Sequence, residues 1–156
     1  MAWTFSVLVV ANVTATSREL MAALSERARK DRCRFTLVVP APVAGAGGRE
    51  PAQRTLEMAL EQLRAAGLEV EGVIGDHDPL AAVTEKFDPT RHDEIVIATL
   101  PTGVSKWLQV DLPHRVERAT DVPVTHVVAE PQRAEPRTER VERPDSYGVL
   151  TPFRAL

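Results

Sequence analysis

Cysteine, aromatic side chains, excess positive charge and long apolar runs are all scarce in this sequence of 156 residues. The single cysteine, Cys33, excludes an internal disulfide and any zinc or iron–sulfur site that needs several cysteines. Nineteen Lys and Arg against 22 Asp and Glu leave a formal net charge of -3. Because nucleic acids are recognised by a basic face, we expect no nucleic-acid partner.

No apolar run approaches the roughly 20 residues that a membrane-spanning helix needs, so we expect no membrane partner. The first ten residues carry no Lys or Arg ahead of their apolar run and therefore lack the basic start of a secretion signal. We expect a cytoplasmic protein. A chain of this length with 44% hydrophobic residues can bury one core but is too short for two.

Short apolar runs of strand length alternate with helix-like stretches along most of the chain. The runs are rich in Val, Ile and Leu and mostly lack polar alternation, which is typical of strands covered on both faces. Strands that alternate with helices favour right-handed crossovers and a parallel sheet. The predicted fold is α/β, a three-layer sandwich with a five-stranded, mainly parallel sheet. The predicted strands are residues 5–11, 35–39, 70–74, 94–100 and 124–128.

The starts of four helices are marked by residues that suit a first turn. Thr16 and Glu19 have the spacing of a capping box, and Pro51 and Pro79 suit the first turn of the second and third helices. A fourth helix is predicted to begin near Asp111, whose carboxylate suits a cap.

The composition changes after residue 129, which predicts a folded domain over residues 1–129 and a tail over 130–156. Residues 130–145 hold five acidic and four basic residues and three prolines, typical of a solvated, extended segment. Residues 147–156 are more apolar. They are either scattered hydrophobic residues at a frayed end, or a tip that docks on its own domain or on a protein partner.

Ligands of open parallel sheets bind beyond the carboxyl ends of the strands, where strand order reverses. Asn12, Thr14 and Ser17 follow the first strand and can either favour an anion or simply cap a helix. The glycine-rich residues 40–49 after the second strand fit neither the dinucleotide nor the P-loop spacing, so we interpret them as a flexible connection.

Residues 98–116, which follow the fourth strand, carry the most specific pattern. Together with Gly-Asp-His-Asp-Pro at 75–79 and Val-Pro-Val-Thr-His-Val-Val at 122–128, this stretch resembles the universal stress protein family over about residues 5–129. The resemblance implies an adenine nucleotide alpha hydrolase-like sandwich, a homodimer formed through the last strand, and a stress-related regulatory role. One subclass of the family binds ATP.

The ATP-binding subclass has G-x2-G-x9-G-[ST] after strand four and an aspartate after strand one. Here Asn12 replaces that aspartate, Ala98 and Pro101 replace the first two glycines, and Asp-Leu at 111–112 replaces the final pair, although Gly103 keeps one glycine. Proline has no N–H to offer phosphate, and a carboxylate at Asp111 would repel a triphosphate. We therefore expect no cofactor and weak or absent ATP binding.

The sequence thus predicts a non-catalytic, universal-stress-protein-like binding module rather than an enzyme. Ser105 has no nucleophile-elbow motif around it, and the i, i+3 pair His114 and Glu117 lacks a third ligand, so neither hydrolase chemistry nor a metal site is expected. Trp107 either covers the end of the sheet or marks a contact. Any small-molecule site is predicted to include Asn12, Val13, Thr14, Pro40, Thr99, Pro101, Gly103 and Asp111.

Two further expectations concern ligand and partner. In the alternative hypothesis the protein is a divergent ATP- or AMP-binding stress protein with slow or no hydrolysis, which would use Thr99, Thr102, Ser105 and Lys106. The expected dimer interface is the last strand, with Val122, Val124, His126 and Val128.

Overall fold

Five strands form one sheet in which every pairing is parallel, in a computed structural model that describes residues 3–43, 48–101 and 104–130. The strand order is β3-β2-β1-β4-β5, so strand order reverses between β1 and β4. The predicted α/β class is confirmed, and the sheet is wholly rather than mainly parallel. The strands are β1 Phe5–Val10, β2 Cys33–Pro40, β3 Val70–Gly75, β4 Glu94–Thr99 and β5 Val124–Val128. Three predictions fall outside the described residues: Gly103 of the predicted site, Thr102 of the alternative hypothesis, and residues 131–156 of the predicted tail.

Helices cover both faces of the sheet. A short 3-10 turn, Val13–Thr16, and the single-turn helix at 106–109 were not predicted. None of the helices in the described ranges has the length and hydropathy to cross a bilayer. The α-helices are α1 Arg18–Lys30, α2 Glu50–Ala65, α3 Pro79–Lys86, α4 Lys106–Gln109 and α5 Leu112–Thr120.

The core has two layers because successive side chains of the central strands point to opposite faces. In β1, Val7 and Val9 pack with Leu20, Leu24 and other residues of α1 and α2. Leu8 and Val10 pack on the opposite face against α3 and α5. All four β1 residues are completely buried, as expected for a central strand of a parallel sheet.

The helix starts follow the prediction except at α1. Ser17, not Thr16, caps that helix, since its Oγ accepts the N–H of Leu20 at 3.2 Å. Thr16 instead ends the 3-10 turn, so the predicted capping box is wrong by one residue. Pro51 and Pro79 both lie in first turns, as predicted.

Candidate functional site

A cleft of about 220 Å³ opens at the carboxyl ends of β1 and β4, where strand order reverses. This position is where open parallel sheets bind ligands, because neighbouring loops diverge to opposite faces there. We call it the apolar cleft. It is lined by Asn12, Val13, Thr14, Ala98, Thr99, Leu100, Val104, Ser105, Lys106 and Trp107.

The wall after β1 is held in place by a buried threonine. Thr14 is 4% exposed, and its Oγ1 donates a hydrogen bond to the carbonyl oxygen of Ala98 at 3.0 Å. This bond ties the 3-10 turn to the end of β4 across the reversal. The side chain of Asn12 makes no cap to the turn that follows it and is exposed at the mouth of the cleft.

The wall at the end of β4 contains a threonine–histidine pair. Thr99 Oγ1 donates to the carbonyl oxygen of Leu100 at 2.9 Å and lies 2.6 Å from Nε2 of His126 on β5. Because a hydroxyl has one hydrogen, Nε2 of the imidazole is the donor in the second contact. The residue as a whole is exposed, but partial desolvation of the ring lowers the pKa of His126, which favours the neutral form.

The third wall is the single turn α4 and the residue before it. Ser105 is buried, and its Oγ accepts the N–H of Leu108 at 3.3 Å. Trp107 is half-buried and packs against the core layer of α3 and α5, so its ring closes one side of the cleft. Lys106 is exposed and is the one cationic side chain among the described lining residues, which include no carboxylate.

The structure brings together part of the predicted site. Asn12, Val13, Thr14 and Thr99 line the apolar cleft. Two prolines do not: Pro40 is buried at the end of β2, in register with Gly75, and Pro101 is half-buried outside the lining. These four lining residues follow β1 or end β4, the two strands that border the reversal.

Asp111 occupies the predicted cap position of α5 but does not cap it. Its backbone is left-handed, with φ of 52°, and its side chain makes no bond to the first-turn N–H groups. The carboxylate instead contacts Nδ1 of His114 at 2.8 Å. With His114, Glu117 and Arg118 it borders a separate shallow depression. The expectation that its carboxylate caps α5 is therefore wrong.

Sequence reasoning left out three apolar members of the lining. The residues not proposed for the site are Ala98, Leu100 and Val104. Of these, Val104 is 58% exposed at the rim of the cleft. The available signal was position, since Ala98 and Leu100 flank Thr99 at the end of a strand.

Another depression, of about 310 Å³, lies at the carboxyl ends of β2 and β3. Five of its lining side chains are ionisable, and we call it the charged depression. Within the described ranges, no three His, Cys, Asp or Glu side chains are grouped so that they could hold a metal ion. The charged depression is lined by Ala41, Pro42, Arg49, Ile74, Gly75, Asp76, His77, Glu85 and Lys86.

Solved universal stress protein structures share this fold, which confirms the resemblance at the level of structure. The universal stress protein from Archaeoglobus fulgidus has a TM-score of 0.59 and 20% identity, covering 79% of this chain and 93% of that one. The Archaeoglobus fulgidus protein in complex with dAMP gives 0.58 and 20%, covering 81% and 99%. A universal stress protein family protein from Arabidopsis thaliana with AMP bound gives 0.58 and 13%, covering 80% and 92%. No protein-family model and no curated protein sequence matches this chain.

Proposed function

We propose that this protein is a non-catalytic, universal-stress-protein-like regulatory module of the cytoplasm whose apolar cleft holds an adenine nucleoside monophosphate. In this proposal ATP binds weakly or not at all. The observation that carries it is the apolar cleft itself, which lies at the strand reversal. Its described lining residues combine apolar walls with one cation and no carboxylate. The AMP and dAMP seen in two structures of the same fold support the ligand class.

The walls of the cleft suit a base and a sugar. Leu100, Val13 and the ring of Trp107 offer apolar surface to a planar base, and the Asn12 amide has both a donor and an acceptor for polar edges. The volume of about 220 Å³ is below the roughly 300–1,000 Å³ that is usual for drug-sized ligands. A ligand of nucleoside size therefore fills the cleft and leaves its phosphate at the mouth.

The phosphate contacts available suit one phosphate rather than three. Lys106 is the single described lining cation, and the hydroxyl hydrogens of Thr14 and Thr99 are already donated to backbone carbonyls. Pro101 has no N–H to offer. A second and third phosphate would extend into solvent without matching donors among the described lining residues, so the extra charge adds little binding free energy.

The described lining residues of the cleft include no activated nucleophile. Thr99 is close to an imidazole, but it is 2% exposed and its hydrogen is given to Leu100. Ser105 is 5% exposed and caps α4. A buried hydroxyl cannot approach a phosphorus atom in line, which supports a binding role without hydrolysis.

Calorimetric titration with AMP, adenosine and magnesium ATP tests this proposal. We expect AMP to bind with a Kd below about 100 μM, equivalent to about 5.5 kcal/mol, and ATP to bind at least about tenfold more weakly. ATP incubated with the protein should yield no ADP above the protein-free control. Tighter binding of ATP than AMP, or no heat with AMP and adenosine, would contradict the proposed ligand. Release of ADP that depends on the protein would contradict the non-catalytic role.

We also propose a homodimer formed through β5. This strand is at the edge of the sheet, its Thr125 and His126 are exposed, and Val128 is 44% exposed. An exposed edge strand with apolar side chains is prone to pair with another copy. The glutamate substitution Val128→Glu should give a monomer in sedimentation at micromolar concentration, whereas Val43→Glu, at a valine 68% exposed elsewhere, should leave the dimer. A monomeric unsubstituted protein, or a dimer that survives Val128→Glu, contradicts this interface.

A further inference from the structure

The rim of the apolar cleft exposes large apolar side chains to water. Val13 is 68% exposed and Val104 is 58% exposed, and both line the cleft. An apolar surface that continues from a concave site to its rim is typical of a surface that another apolar group covers.

The chain leaves the folded domain beside this cleft. The N–H of Ala129 donates to the carbonyl oxygen of Thr99 at 2.8 Å, and Ala129 is 1% exposed. The chain therefore emerges at the carboxyl edge of the sheet, one strand away from β4 and two from β1. Since neighbouring strands are about 4.8 Å apart, the cleft is roughly 5–10 Å from this exit point.

The residues that follow are divided into a polar spacer and an apolar end. Residues 130–145 carry five acidic residues, four basic residues and three prolines, so they gain little from burial. The ten residues 147–156 include no acidic residue. Their large apolar and aromatic side chains are Tyr147, Val149, Leu150, Phe153 and Leu156.

We propose that residues 147–156 dock in the apolar cleft of their own chain and compete there with the nucleotide. At about 3.3 Å per residue, an extended spacer of this length reaches roughly 50 Å, well beyond the distance to the cleft. A tether of this length gives an effective concentration in the millimolar range, so weak apolar contacts suffice for docking. The competition rests on the proposed function, whereas the docking does not.

The test uses full-length protein in which Trp3→Phe leaves Trp107 as the one tryptophan, so that its fluorescence reports on the cleft. In this background Leu150→Ser with Phe153→Ser weakens the apolar segment. The matched control is Val141→Ser, an apolar residue of the polar spacer. We expect the double substitution to shift Trp107 emission to the red and Val141→Ser to leave it unchanged. The free peptide of residues 147–156, added to the double variant, should reverse the shift.

AMP titration then separates the two proposals. With docking and competition, the double substitution tightens AMP binding at least about fivefold, and the free peptide weakens it again. A red shift without any AMP binding supports docking and overturns the proposed ligand. Unchanged emission together with no binding of the free peptide overturns docking, whatever AMP does. A red shift that varies with protein concentration assigns the segment to the cleft of a second copy and overturns docking within one chain.

Discussion

The apolar cleft and the charged depression lie at the same edge of one sheet but differ in backbone and in chemistry. At the charged depression β2 and β3 are neighbours, and the N–H of Ala41 donates to Gly75 O at 3.0 Å, which continues the pairing beyond β2. At the apolar cleft the chain turns away from β1 and β4 to opposite sides of the sheet. The reversal of strand order thus leaves a gap between the ends of β1 and β4, whereas continued pairing closes the equivalent space between β2 and β3.

The two places differ in the free energy of displacing water from their walls when a ligand binds. The charged depression carries ionisable groups of both signs, and a ligand there must displace water from each of them, which leaves little net binding free energy. The apolar cleft offers mainly apolar walls, whose burial is favourable by about 25 cal/mol per Å². The depression beside Asp111, about 360 Å³, and the charged depression, about 310 Å³, are both larger than the apolar cleft. Position at the reversal and the nature of the walls, rather than size, therefore identify the candidate site.

A larger side chain at Gly75, where α3 packs tightly on the sheet beside the charged depression, gives the largest expected effect. A Cβ at Gly75 meets the Cβ of Ala82 and Cγ1 of Val38 at 2.8 Å each, and both of these residues are fully buried. The substitution Gly75→Val should lower the free energy of unfolding by about 2 kcal/mol, because overpacking forces α3 away from the sheet. Urea denaturation measures this loss.

The matched control for Gly75→Val is Glu85→Ala, an exposed residue that lines the same depression. It should change the free energy of unfolding by less than about 0.5 kcal/mol. An unchanged urea midpoint for Gly75→Val would mean that α3 moves away without cost, and the charged depression could then open as a ligand site.

Replacing one lysine in each place by methionine tests which place contacts the phosphate of the ligand. Lys106 lines the apolar cleft and Lys86 lines the charged depression, and both are exposed. In Lys106→Met, AMP affinity should fall about fivefold, equivalent to about 1 kcal/mol for one exposed charge contact, and adenosine affinity should stay the same. Calorimetry at low and high salt measures both, and the difference between AMP and adenosine should shrink at high salt.

The variant Lys86→Met should leave AMP affinity unchanged. A larger loss for Lys86→Met than for Lys106→Met would move the phosphate to the charged depression and contradict the proposed site. Equal losses in both variants would indicate a diffuse electrostatic attraction rather than a contact at the cleft.

The sequence predicts the fold well because the signals that it needs are local. Apolar runs of strand length and first-turn prolines such as Pro51 and Pro79 are read directly from neighbouring residues, and the structure places them as predicted. The cap of α1 is misplaced by one residue, since Thr16 and Ser17 have equivalent hydroxyls and only the 3-10 turn selects between them. The four residues of α4 are too few to show helical periodicity.

The candidate site is harder to predict because it depends on contacts between distant parts of the chain. Asn12 and Thr99 are predictable since each lies next to the end of a strand at the reversal. The carboxylate of Asp111 turns towards His114 because the backbone at Asp111 is left-handed, a choice that residue type does not determine. The contact of Thr99 with His126 likewise requires the β4–β5 register.

The smallest expected effect is a dependence of the free energy of unfolding on pH. Two histidines contribute to it, His126 beside the cleft wall and His92 elsewhere in the fold. Burial lowers the pKa of both His92 and His126 in the folded protein. The unfolded chain therefore takes up protons first as the pH falls through about 6.5, and folding loses stability from there down to the folded pKa. Above about pH 6.5 this contribution is fully present. Urea midpoints measured from pH 7.5 to pH 5.5 should fall with decreasing pH.

The two histidines should contribute unequally to that slope. Nδ1 of His92 accepts the N–H of Asp88 at 2.9 Å, and protonation removes this acceptor. Since the Thr99 hydroxyl donates to Leu100, Nε2 of His126 is the donor to Thr99 in the neutral ring and stays a donor when the ring is charged. The substitution His92→Gln should therefore reduce the pH dependence more than His126→Gln. A larger reduction for His126→Gln than for His92→Gln would mean that the Thr99 hydroxyl donates to an unprotonated Nε2. The neutral form of His126 would then stabilise the wall of the apolar cleft.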